Sequence, residues 1–270
     1  MTIVSAFLMP GNPLPLLKGE NPPWKVLADA ARKAGAALRD SRPDVLLIYS
    51  TQWIAVLDEL WQTRPHSVGR HVDENWYEYG DLQMDLHCDV DLARACIAAA
   101  TAGGVRSKAV DYEDFPIDTG TIVANAFVNP DGRIPAVVAA NNVYHDFALT
   151  AKLGGIAAEQ AKLQGKRAAV IAIGGLSGSY FDHEIDIAKD RVVRDADDAA
   201  NRAFLDRLGK GSGNSLAEEI AEYAKTVKAD MGGKHLAWLL GATGGFRGAS
   251  VLGYGATYGA GAAVVQFQVA

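Results

Sequence analysis

Short runs rich in Val and Ile alternate with longer runs whose apolar residues recur near every 3.6 positions, and no other feature of this chain restricts its fold so strongly. IVSAFLM precedes PPWKVLADAARKAGAALRD, and DVLLIYS precedes DVDLARACIAAATAGG. IPAVVAA, a helix-like stretch over 148–164, KRAAVIAIGG and helix-like stretches near 190–208 and 214–228 follow. Such an order predicts an α/β sheet with helices packed on it. In the first helix, Asn21 is expected to cap the start, and Pro22 and Pro23 suit a first turn whose N–H groups have no partner anyway. The last stretch, YGATYGAGAAVVQFQV, is expected to close the sheet as a strand. No repeat or linker divides the 270 residues, so one domain over 1–270 is expected.

The net charge of -6 gives no general reason to expect nucleic acid or an anionic membrane surface as partner, since either favours a basic face. No apolar run approaches the ~20 residues that cross a bilayer, and MTIVSAFLMPGNP lacks a basic leader. A cytoplasmic protein is expected. Cys88 and Cys96 have no paired short spacing of a zinc site and read as reduced, partly buried thiols.

Several catalytic patterns fail. GGLSGS has Ser179 where a nucleophile elbow needs glycine, so a serine hydrolase is disfavoured. Glycines 253, 255, 259 and 261 do not form a dinucleotide fingerprint and are expected to serve close backbone packing. His183-Glu184 lacks the second histidine of a zincin motif. What remains is a set of polar or glycine-rich stretches after strand-like runs: PGNP, STQW, IDTGT, NNVYHD and GGLSGSYFDHE. Strand ends that gather such stretches assemble pockets in α/β folds. Yet this pocket holds no evident acid, base and nucleophile together. Gln52, at the end of DVLLIYSTQW, is a poor base, a poor nucleophile and a weak metal ligand.

FLMPGNPLP, ENPPW, YSTQWIAVLDELWQTRP, HVDENWYEYGDL, FPIDTGTIVA, AANN, GGLSGS and YGATYGAGAAVV carry a specific resemblance over nearly the whole length. The chain resembles the type III extradiol ring-cleavage dioxygenases, and within them the non-catalytic α subunits of the 2-aminophenol-cleaving enzymes. The resemblance implies a single α/β domain with a central mixed sheet flanked by helices. It also implies a homologous catalytic β subunit as partner, in an α2β2 assembly with Fe(II) in the partner and no cofactor in this chain. Active members hold Fe(II) with two histidines and a carboxylate, leaving positions for the ring and O2.

Where the family has its first histidine, this chain has Gly11 and Asn12 between Pro10 and Pro13. Gln52 precedes Trp53 where the second histidine stands, and the carboxylate position in GGKHLAW falls on Lys234 or, one place out, on His235. In DTGT, Thr119 after Asp118 replaces a histidine or tyrosine, and Gly178 replaces the acid–base histidine. Neither threonine nor glycine moves protons at neutral pH. An ammonium about 4 Å from a dication is repelled by roughly 8 kcal/mol at an effective dielectric near 20, where a carboxylate would be attracted by as much. The expected vestigial pocket therefore comprises Gly11, Asn12, Gln52, Trp53, Asp118, Thr119, Gly178, Tyr180, His183 and Lys234, with no catalytic residue and no metal. Gln52 is expected to pack and hydrogen-bond within it.

The complex, by resemblance, would cleave 2-aminophenol or a substituted relative with O2 to a 2-aminomuconic semialdehyde. The aromatics of ENWYEY (74–79) and Trp61 have the composition of an interface core, or else of the chain's own core. Two other readings compete. One is an active dioxygenase with relocated ligands, drawn from His145, His183, Glu184 and His235. The other is a pocket that binds an aromatic ring, with Trp53, Tyr180, Gly11 and Gly178 making room.

Overall fold

The computed structural model describes residues 2–178 and 184–269; Tyr180 and His183 lie outside the described residues. Among these, an eight-stranded sheet forms the centre of the molecule. Its parallel core is β7 (Ala136–Asn142), β2 (Val45–Ala55), β8 (Ala168–Ile173) and β1 (Ile3–Met9), in that order. Beyond β7 lie β3 (Glu59–Gln62), antiparallel to it, and then β6 (Ser107–Val110). Beyond β1 lie β10 (Ala260–Val269) and β9 (Phe246–Thr257), both antiparallel to their neighbours. The sheet is therefore mixed. A separate hairpin pairs β4 (His66–His71) with β5 (Leu82–His87).

Two cores cover the two faces of the sheet. On one face pack α2 (Pro22–Asp40), α4 (Thr119–Val128) and the hairpin. On the other pack α3 (Val90–Ala102), α5 (Phe147–Leu163), α6 (Asp195–Leu208), α7 (Leu216–Val227) and α8 (Lys234–Thr243). The apolar run at 45–48 shows why. Val45 and Leu47 enter the second core, Leu46 and Ile48 the first, and all four are fully buried. Burying each contributes roughly 2 kcal/mol, so such a strand belongs only in the middle of a doubly covered sheet.

Three expectations change. Asn21 precedes α2, but its side chain does not cap the helix; its amide donates instead to the Ile187 carbonyl at 2.8 Å. The final stretch is not one strand but the end of β9, a turn at Tyr258 and Gly259, and β10, because both turn residues take positive φ and reverse the chain. Its glycines do allow close packing: a Cβ at Gly253 would meet the Val26 carbonyl of α2 at 2.8 Å. The aromatics 61 and 76 belong to the chain's own interior. Trp61 is fully buried beside Trp238, and Trp76 is buried with Leu14 and Trp24, so of the three aromatics in ENWYEY only Tyr77 stands well exposed. Both cysteines are free and buried, and burial pushes each thiol up to about 12. Among the described residues, no helix is long and apolar enough to cross a membrane.

Candidate functional site

The parallel strands end together, and their carboxyl ends carry the polar stretches. β2 does not stop at Tyr49. Its ladder with β8 ends at Ser50, its ladder with β7 breaks after Tyr49 and resumes at Ile54, and residues 50–53 occupy the irregularity between. A bulge re-aims side chains, and here Gln52 is exposed at the mouth of the site.

Gln52 lies over two glycines. A Cβ at Gly11 would come within 2.8 Å of its Nε2, and one at Gly120 within 3.1 Å of its Oε1. Gln52, Trp53, Asp118 and Thr119 line one open cavity of about 290 Å³, together with His71, Asp73 and Ile117. A cavity of about 150 Å³ already accepts a benzene ring, so one ring would fit.

Several polar groups in and beside this cavity are already hydrogen-bonded. Asp118 caps α4, accepting from Thr121 N–H at 3.0 Å and Thr121 Oγ1 at 2.7 Å, while Ser50 Oγ donates to it at 2.5 Å. Thr119 Oγ1 donates to Asp73 at 2.9 Å and sits 2.9 Å from His71 Nε2. Asn12 accepts from the Leu14 N–H at 2.9 Å and so fixes the short helix α1 (Leu14–Leu17). Asp118 and Asn12 thus hold backbone. Sequence reasoning missed His71 and Asp73; the aspartate of HVDENW, two residues past His71, was quoted only as part of the resemblance.

The structure does not bring Gly178 or Lys234 onto this cavity. A Cβ at Gly178 would lie 2.7 Å from the Lys228 carbonyl, leaving no room there for a histidine. Lys234 opens α8, and its ammonium donates to the carbonyls of Asn142 at 2.8 Å and Val143 at 3.3 Å. Beside it, Glu59 is fully buried, with His145 Nδ1 at 3.2 Å. Burial pushes the Glu59 carboxyl up to about 7 against the opposing pull of His145 and Lys234. Burial also lowers Lys234, against the pull of Glu59 and Asp146. His235 is buried against Gly174, where a Cβ would meet its Nδ1 at 2.6 Å, and desolvation brings the imidazole down to about 4. Glu184 is exposed.

The donor set at the expected ligand positions does not fit Fe(II). Gly11 offers no side chain, Gln52 a neutral amide and Lys234 a cation already bound to carbonyls. Among the described residues, the group of three His, Cys, Asp or Glu whose ligand atoms gather is His66, Asp85 and His87, on the β4–β5 hairpin.

The strand-end cavity lies on a mixed, doubly covered sheet. Residues 13–266 match the family described as the catalytic LigB subunit of aromatic ring-opening dioxygenases, and the chain belongs to that family. Its members generally use Fe(II). The chain is 52% identical, over the full length of both, to a 2-aminophenol 1,6-dioxygenase alpha subunit from a Pseudomonas species. It is 27% identical to a 2-aminophenol 1,6-dioxygenase beta subunit from a Pseudomonas species, over 99% of this chain and 94% of that one. A crystal structure of an uncharacterized Escherichia coli K12 protein shares the fold, with TM-score 0.70 and 15% identity, covering 97% of this chain and 99% of the other.

Proposed function

We propose that this chain is the α subunit of a 2-aminophenol, or substituted 2-aminophenol, 1,6-dioxygenase, the assembly partner of a homologous β subunit that carries Fe(II). The observation that supports the reading is the full-length likeness to an alpha subunit, together with side chains at the expected ligand positions that do not fit iron. The β subunit supplies the iron, which binds the ring and O2. The product is a 2-aminomuconic semialdehyde, and the assembly is α2β2 in the cytoplasm. This chain supplies no acid, base or ligand to the reaction. Its contribution is a folded homologous surface on which the β subunit assembles, as pseudo-symmetric pairing of like folds favours.

Co-expression of this chain with a histidine-bearing homologue, followed by purification through one of the two, tests the reading. The expected result is a complex with equal amounts of both chains, iron in proportion to the partner and oxygen uptake on 2-aminophenol. A partner that is soluble, iron-loaded and fully active alone refutes the assembly role. Near-stoichiometric iron with oxygen uptake in this chain alone refutes the iron-free role.

A further inference from the structure

The hairpin of β4 and β5 carries donor groups for which the proposed function has no use. His66 and His87 are cross-strand partners, and their rings stack with centroids 3.9 Å apart and planes 9° from parallel. Asp85 precedes His87 by two residues, so strand geometry puts it on the same face. Its Oδ1 lies 2.8 Å from His66 Nε2 and 3.5 Å from His87 Nε2. One ligand atom from each residue falls within 4.8 Å of the other two.

The surroundings hold this arrangement in place while leaving it open. Asn125 of α4 donates to the Asp85 carbonyl at 2.9 Å, and the Cys88 N–H donates to the Pro65 carbonyl at 2.9 Å, which ties both ends of the triad to the body. The Asp85 carboxylate packs over Gly132, where a Cβ would sit 3.3 Å away. The side chains remain 42%, 57% and 47% exposed for His66, Asp85 and His87, so an ion can reach them from solvent.

The donor chemistry selects the ion. Two imidazole nitrogens aimed at one carboxylate oxygen form a compact N,N,O set. Hard cations such as Mg²⁺ and Ca²⁺ prefer all-oxygen shells, whereas Zn²⁺ and its first-row neighbours take imidazole with carboxylate. Small rotations of exposed rings bring both nitrogens to the ~2.1 Å that Zn²⁺ requires. We propose that His66, Asp85 and His87 form a surface site for a divalent first-row transition metal ion, with Zn²⁺ as the representative, and with at least one coordination position left for water or an outside ligand.

Zinc chloride titrated calorimetrically into the full, untagged chain tests this at a pH where free imidazole is neutral. Saturable uptake of about one ion per chain is expected, with magnesium chloride giving no matching heat. His66→Ala and His87→Ala should each weaken that uptake by at least about tenfold, and Asp85→Asn by less. These positions are exposed, and unchanged circular dichroism verifies that the variants fold. No saturable Zn²⁺ uptake tighter than about 1 mM overturns the proposal. So does a His66→Ala/His87→Ala double variant that takes up Zn²⁺ with the affinity and stoichiometry of the parent.

Discussion

At the cavity by the end of β2, Gln52 is exposed and half-buried Thr119 bonds with His71 and Asp73, whereas Glu59 of β3 is enclosed, with half-buried His145 and Lys234 acting on its charge. Both regions take residues from strand ends of the same sheet. The first changes its chemistry at little cost, because water solvates whatever side chain stands there. The second does not, because a buried carboxylate without compensation is expensive. The ligand positions expected from the resemblance are divided between the two: Gln52 lies in the open region, above the buried Gly11, and Lys234 in the coupled one. In the second, the Lys234 cation is part of the electrostatics that favour a charged Glu59 inside.

The division is broken most forcefully by Lys234→Glu, which restores a carboxylate at the expected ligand position. It places a second negative charge against Glu59 and removes the donor to the Asn142 carbonyl. Removing one partner of a fully buried pair costs 3–5 kcal/mol; because Lys234 is only half-buried, a loss of about 3 kcal/mol is expected. Urea denaturation of parent and variant reads it, and an unshifted midpoint would show that Glu59 does not rely on Lys234.

Glu59→Gln sharpens the same contrast through pH. The Glu59 carboxyl rises from 4.5 to about 7 on folding, so across that window the folded chain keeps a proton that the unfolded chain has released. Its contribution to stability is complete below 4.5 and is lost as pH rises through about 7. His235 acts in the opposite sense. Its imidazole falls from 6.5 to about 4, so its contribution is present above 6.5 and lost as pH falls toward about 4. The two slopes oppose each other in the parent. Glu59→Gln should leave the His235 slope alone, giving a variant that gains about 2 kcal/mol relative to the parent between about pH 5 and about pH 7.5. Parallel stability curves for the two proteins would show that Glu59 ionises freely in the fold.

The parallel core was readable because continuous apolar runs such as 45–48 and 168–173 have few alternatives to doubly covered strands. α2, α3 and α5 were readable from their period. The β4–β5 hairpin was not, since HSVGRH buries only Ser67 and gives no apolar alternation to partner that of Leu82, Met84 and Leu86 in LQMDLH. α4 was also hidden, although Asp118 before an apolar run is a capping signal; its glycine made DTGT look like a loop. At the site, sequence placed Gln52, Trp53, Asp118 and Thr119 among candidate pocket residues, and the structure gathers those four. Gly178 and Lys234 do not join them, because side-chain direction and the carbonyls of Lys228 and Asn142 decide their surroundings, and neither is written in local pattern.

Gln52→His gives the smallest effect and tests the tolerant side of the comparison. The residue is exposed in a bulge where β2 has no ladder on either side, so no core contact is lost and a change within about 0.5 kcal/mol is expected. The imidazole would find room, since the atoms over Gly11 and Gly120 that it replaces are those of a flexible side chain. Iron would still find one ligand in place of three, with Gly11 bare and the Lys234 ammonium committed to two carbonyls. Metal analysis after anaerobic Fe(II) reconstitution should therefore give the parent's background. Near-stoichiometric iron in this single variant would mean that other side chains complete the shell, and that the cavity had kept more of its ligand chemistry than its hydrogen bonds indicate.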